Sequence, residues 1–206
     1  MSKEKHYRDW ILRRCCAAVC ACVLTLAAPS FYLQDVQLRS IDLSDPALSL
    51  NLQVTIASRN PNERVGVYYK TLDAFATYRD EPVTVPVALP AIYQGHKDAS
   101  VWSPVLSGES VPVAAYAADA MRQDIAAGYV LLHVRVEGRV KWKVGSWVSG
   151  GYHLSVNCPA LLAASGGAAA GGAFAFSAAA GAAVPAGVNT TVSLKFTHPA
   201  DCTVDV

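Results

Sequence analysis

Charge is scarce in this chain. Asp, Glu, Lys and Arg together make up 16% of the 206 residues, and 17 basic against 16 acidic side chains leave a formal net charge of +1. No basic stripe with interleaved aromatics is present, which argues against a nucleic-acid partner. Histidine is sparse as well. His96, His133, His153 and His198 follow the first stretch of the chain, and none stands at metal-ligand spacing from another His or a Cys. Ser146 and Ser149 lack a Gly-x-Ser-x-Gly setting, and Tyr152-His153 has no carboxylate beside it. The glycine-rich stretch from Gly145 to Gly151 lacks the Gly-Lys-Ser/Thr ending of a phosphate loop. These absences leave no catalytic residue, no cofactor and no metal to nominate, so the reading is of a protein that is not an enzyme.

What the chain does have is an uncharged apolar run from Cys15 to Leu33. At the helical rise per residue it spans about 28 Å, close to the hydrocarbon thickness of a bilayer. Ala17, Ala18, Ala21, Ala27 and Ala28 dilute its hydrophobicity, and Pro29 limits or kinks a helix near its outer end. Lys3, Lys5, Arg8, Arg13 and Arg14 precede it, opposed only by Glu4 and Asp9. Basic flanks stay in the cytosol, so the favoured reading is a single-pass signal anchor: tail 1–14 inside, span 15–33, and everything from 36 to 206 outside. A cleaved signal peptide ending near Ala27 and Ala28 is the alternative, although the run is long for that purpose. A buried helix of a soluble domain is the third reading.

Six cysteines divide by position. Cys15, Cys16, Cys20 and Cys22 fall in the apolar run, where they serve as apolar filler. Alternatively, Cys15 and Cys16, beside the cytosolic face, accept palmitate. Cys158 and Cys202 are an even pair in a compartment expected to be oxidising, which favours a disulfide over two buried thiols. Asn189-Thr190-Thr191 is an N-glycosylation sequon, open to a glycan if this part lies outside the cytosol.

Beyond the run, period-two alternation dominates. Leu48, Leu50, Leu52, Val54 and Ile56 share one strand face, and Arg59-Asn60-Pro61-Asn62 turns the chain. Val65–Tyr69 and Leu72–Tyr78 read as two further strands. Val113–Ala127 is alanine-rich and reads as one helix, with Ser110 as its cap and Gly128 at its end. From Tyr129 to Val144 one face stays apolar through Gly138. Tyr152–Cys158 and Thr190–Phe196 read as later strands. Residues 163–187 are almost all Ala and Gly and are expected to form a flexible insertion. Short strands, regular turns and one helix make the expected fold mainly β, an antiparallel sandwich.

Several segments then resemble one family. Asn60-Pro61-Asn62-Glu63-Arg64-Val65-Gly66-Val67-Tyr68-Tyr69, Tyr93-Gln94-Gly95-His96-Lys97, Trp142-Lys143-Val144-Gly145-Ser146-Trp147, Cys158-Pro159 and the final Cys202-Thr203-Val204-Asp205-Val206 resemble the plant NDR1/HIN1-like proteins. Those proteins carry a late-embryogenesis-abundant type 2 domain. The Ala/Gly tract departs from the pattern. The resemblance implies a short cytosolic tail, one transmembrane helix at the plasma membrane and an extracellular sandwich of fibronectin type III or immunoglobulin-like topology. It also implies a part in pathogen response, hypersensitive cell death or abiotic stress, and supplies no catalytic residue.

The best candidate recognition loop is Tyr93, Gln94, Gly95, His96 and Lys97, since binding residues gather on loops. Arg139, Lys141 and Lys143 form either a solvated strand face or a surface for anionic lipid heads or acidic wall polymers. Two functions from different classes follow. One is a membrane-anchored binding protein in defence or stress signalling, with protein partners not readable from the sequence. The other is a protective protein that stabilises membranes or proteins during drying without a specific partner.

Overall fold

The structure is a computed structural model and describes residues 27–44, 47–164 and 194–206. It forms one mainly antiparallel sheet with a single helix among the described residues. The strands are β1 (Ser30–Ser44), β2 (Ala47–Arg59), β3 (Val65–Tyr78), β4 (Glu81–Pro82), β5 (Val87–Leu89), β6 (Ile92–Gln94), β7 (Ala99–Trp102) and β8 (Val105–Pro112). After the helix α1 (Ala115–Ala126) come β9 (Tyr129–Val144), β10 (Trp147–Val148), β11 (Tyr152–Ala164), β12 (Leu194–Phe196), β13 (Ala200–Asp201) and β14 (Thr203–Asp205).

The sheet runs β4-β3-β9-β11-β12-β1-β2-β7, with the short strands pairing off this path. It curls back on itself. Phe31 of β1 and Trp102 of β7 pack on Tyr69 of β3, at ring-centroid distances of 6.1 and 5.4 Å, although β3 is neighbour to neither strand in the sheet. The enclosed core draws on both halves, with Leu48, Leu52, Val54 and Ile56 of β2 facing Val134, Val136 and Val140 of β9 and Val156 of β11 as members of one cluster. Each such side chain removed from water contributes roughly 1.5–3 kcal/mol.

The apolar alternation of β2 and of β9 lies inward as the sequence indicates. Four expectations are corrected. First, the outer end of the apolar run is not part of a membrane span. Ser30–Leu33 begin β1, where Phe31 is 2% exposed and Leu33 is 0% exposed in the core. Aromatic and aliphatic side chains alternating after Pro29 suit a strand with one buried face. Second, Val65–Tyr69 and Leu72–Tyr78 are one strand, not two. Tyr69 pairs with Val140 and Thr71 with Arg139, which leaves Lys70 as the extra residue of a bulge. That insertion turns the buried set from odd to even positions, so that Val67 and Tyr69, then Leu72 and Ala74, all face the core. Gly138 is placed against this bulge, where any Cβ would strike the Thr71 carbonyl.

Third, the helix is Ala115–Ala126 and Ser110 does not cap it. Ser110 belongs to β8, and its N–H donates to Ser49 Oγ at 3.1 Å. Ala114 holds the N-cap position and offers no side-chain acceptor. The other end follows the expected pattern, with Gly128 at φ 88° and its N–H donating to the Ile125 carbonyl at 3.0 Å. Among the described residues, no helix is long and apolar enough to cross a membrane. The tail, residues 15–26 of the run with Cys15 and Cys16, the sequon at Asn189 and most of the Ala/Gly tract lie outside the described residues. Fourth, the first two tract residues, Ala163 and Ala164, are strand rather than insertion, paired in β11 with Lys195 and Leu194 of β12.

Candidate functional site

The polar chemistry of the domain gathers at one end. Ser30 of β1 and Ala99 of β7 both pair with Arg59, the last residue of β2, and Val65, the first of β3, pairs with Val144, the last of β9. Three connections therefore meet there: the turn 60–64, the loop 95–98 and the hairpin tip 145–146. Ala27 lies at the same place, held by Asn62 of the turn.

Asn60 and Asn62 organise this end. Asn60 is 0% exposed, and its Nδ2 donates to the carbonyls of Val65 at 2.7 Å and Gly95 at 2.8 Å. Its Oδ1 accepts from the N–H of Asn62 at 3.0 Å and from Asn62 Nδ2 at 2.8 Å. Asn62 then holds the backbone of Ala27 in both directions. Its Nδ2 donates to the Ala27 carbonyl at 2.8 Å, and its Oδ1 accepts the Ala27 N–H at 3.1 Å. An amide side chain offers donor and acceptor side by side, which is what a peptide unit needs from a partner. Pro61 between the two asparagines fixes one backbone angle and narrows the turn's freedom.

Gln94 is the second organiser. Its Nε2 donates to the carbonyls of Ser58 at 2.9 Å and Asp98 at 3.2 Å. Its Oε1 accepts from Tyr69 Oη at 2.9 Å and Ser58 Oγ at 3.4 Å. Burial pushes the Tyr69 hydroxyl well above the usual tyrosine range, so it stays protonated and serves as a fixed donor. Ser58 Oγ has Tyr69 Oη at 2.8 Å and an amide oxygen for company, and neither can act as a general base at neutral pH. The network is built to hold backbone in place.

The five residues of the candidate recognition loop thus divide. Gln94 is fully buried and all its hydrogen-bonding capacity is spent inside. Gly95, His96 and Lys97 lie on the surface side, with Lys97 Nζ 3.5 Å from Glu63 and the Lys97 N–H bonded to the Asn62 carbonyl. Tyr93 turns outward, 43% exposed, its ring 4.5 Å from that of Tyr68. Gly66 is what admits that ring, because a Cβ there would come within 2.7 Å of it. Lys143 Nζ stands 5.2 Å from the Tyr93 ring centroid and 5.9 Å from that of Tyr68. Trp147, at the hairpin tip, is 61% exposed.

Cys158 and Cys202 form a disulfide. It ties β11 to the C-terminal segment beside β1, where the Cys202 N–H donates to the Phe31 carbonyl at 3.0 Å, and it closes the long connection that contains the Ala/Gly tract. Closing a loop of that length restricts the unfolded chain by about 4 kcal/mol on the chain-entropy account. Among the described residues no group of three or more His, Cys, Asp or Glu is placed to hold a metal ion. The sequence showed the loop and the cysteines. It did not show the amides of Asn60 and Asn62 as fastenings, although two asparagines flanking a proline in a tight turn were the available signal.

These features define a β domain of the late-embryogenesis-abundant class, and the family profile described as late embryogenesis abundant protein matches residues 55–159. The chain belongs to the NDR1/HIN1-like proteins within it. It is 45% identical over 143 residues to NDR1/HIN1-like protein 1 of Arabidopsis thaliana, covering 68% of each chain. NDR1/HIN1-like protein 12 of the same plant is 46% identical over 141 residues, 68% of this chain and 67% of that one. NDR1/HIN1-like protein 26 is 33% identical over 138 residues, 66% and 65% of the two chains. A solved protein from Archaeoglobus fulgidus, 12% identical with a TM-score of 0.28, covers 61% of this chain and 94% of its own.

Proposed function

We propose that this chain is a single-pass plasma-membrane protein whose sandwich, of fibronectin-like topology, stands outside the cell and acts by binding rather than catalysis, in plant defence or stress signalling. The observation that carries the reading is the clamp of Asn62 on Ala27. It fixes the domain to the chain immediately after an apolar segment with a basic cytosolic flank. The fold takes in Ala27 through this clamp and buries Pro29, so on this reading the anchor is the apolar run that precedes Ala27. The family membership supports the setting, and the buried, base-free polar network supports a holding role over a reactive one. On this reading Cys15 and Cys16 are palmitoylation sites at the cytosolic face, and Asn189 carries a glycan.

Protease protection tests it. An epitope placed after Val206 should be digested when intact protoplasts meet external protease. If the epitope is shielded, the orientation is wrong and with it the extracellular role.

A further inference from the structure

The anchored reading leaves open how the domain stands on its membrane, and the Ala27 end carries a surface suited to that question. Trp147 projects from the hairpin joined to Val144, and Val144 pairs with Val65, whose carbonyl is bound by Asn60. The exposed indole therefore sits at the same end as the Ala27 clamp. By register the indole lies on the Val144 side of the hairpin tip, while the outer face of β3 and β9 at this end carries Tyr68 and Tyr93, their rings tilted at 4.5 Å, with Lys143 over them, followed by Lys141, Arg139 and the bulged Lys70. Lys70 Nζ lies 5.2 Å from the Tyr68 ring. A shallow open depression is lined by Lys70, Thr71, Arg139, Lys141 and Gly151.

Among the described residues, Lys70, Arg139, Lys141 and Lys143 make no ion pair, and the Trp147 indole N–H meets no acceptor. The carboxylates at this end are engaged: Glu63 pairs with Lys97, and Asp98 accepts the N–H groups of Gly95 and Ala99. Exposed Trp and Tyr with unpaired Lys and Arg, at the point where an apolar segment leaves a domain, is the composition of a headgroup-level belt. The aromatic rings place an apolar body and a polar edge at the boundary, while the cations meet lipid phosphates. Long Lys side chains reach along the surface to do so.

We propose that this end of the domain rests in the phospholipid headgroup layer of the bilayer that anchors the chain, with the Trp147 indole at its rim and the Tyr93–Lys143 face alongside, so that the domain leans on the membrane instead of standing free. This rests on the anchored reading above. Gly66 is part of the device, since a Cβ there would strike the Tyr93 ring that Lys143 covers.

The test uses the full chain in nanodiscs of phosphatidylcholine with phosphatidylserine. Trp147 emission is isolated as the difference between wild type and Trp147→Phe. The expected result is a blue-shifted component, quenched by lipids brominated near the carbonyl end of the acyl chain and shielded from aqueous iodide. In Lys141→Glu/Lys143→Glu that quenching should be lost while the domain's thermal unfolding is kept. Emission quenched by iodide and untouched by brominated lipid, in a chain that resists carbonate extraction, overturns this proposal and leaves the anchor intact. A chain released by carbonate overturns both. Shielding from iodide that requires added polygalacturonate, with none from the bilayer, would assign the face to an acidic polysaccharide and overturn the lipid assignment.

Discussion

The two ends of the domain are held by different contacts. At the Ala27 end, buried amides of Asn60, Asn62 and Gln94 bind backbone from four separate segments, and an aromatic trio of Phe31, Tyr69 and Trp102 lies just above them. At the other end, α1 closes the core with Ala117, Ala120 and Met121, and its polar ties to the sheet are peripheral: Tyr78 Oη donates to Asp124 at 2.6 Å, Tyr116 Oη donates to Glu81 at 2.6 Å, and Arg79 stands 3.8 Å from Asp124. Charge differs too. Lys141, Lys143, Lys70 and Arg139 stand unpaired toward the first end, whereas Asp80, Glu81, Asp119 and Asp124 gather toward the second, partly answered by Arg79, Arg122 and Arg135. The contrast separates roles. Directional bonds to backbone fix the geometry of the first end, and a helix with small side chains covers the core at the second.

Breaking the first end should cost most. Asn60→Ala leaves two carbonyls without a donor and two Asn62 donors without an acceptor, and should destabilise the domain by about 3 kcal/mol in denaturant unfolding. Asn62→Ala removes the clamp on Ala27 at a cost of about 2 kcal/mol. At the helix end, Tyr78→Phe should cost about 1 kcal/mol near neutral pH. Burial, then the neighbouring Asp124, pushes the Tyr78 hydroxyl up to about 12. Its folded value is thus raised above the unfolded one, so its contribution is complete below about pH 10 and is lost as the pH climbs toward 12. Stability of the wild type should fall across that window more steeply than that of Tyr78→Phe. Tyr69 adds to the fall in both proteins, so the difference between them is the quantity to read. The smallest effect is a gain. Ala114→Ser supplies the side-chain cap that α1 lacks and should raise stability by about 0.5 kcal/mol, seen as a higher unfolding midpoint.

Much of this architecture is legible in the sequence, and the parts that are not have physical reasons. β2 and β9 are readable because period-two alternation has one cause, a single buried face. The bulge at Lys70 hides β3, since one inserted residue flips the parity and imitates a break between two strands. Ser30–Leu33 are hidden by composition. Phe31, Tyr32 and Leu33 are as apolar as the run before them, and hydropathy does not separate a strand's buried face from a membrane span. Pro29 was the local signal that the helix-compatible stretch had ended. The disulfide follows from counting cysteines and assigning a compartment. The fastenings of Asn62 and Gln94 do not, because their partners lie 35 and 36 residues away and only the folded sheet brings them together.

The central claim is that the domain is rooted at Ala27 by Asn62. Amide hydrogen exchange at Ala27, read in the full chain held in nanodiscs, tests it most directly. The account predicts that this amide is protected in the wild type and exchanges at an open-chain rate in Asn62→Ala, while the amides of α1 keep their protection in both. Open-chain exchange at Ala27 in the wild type would contradict it.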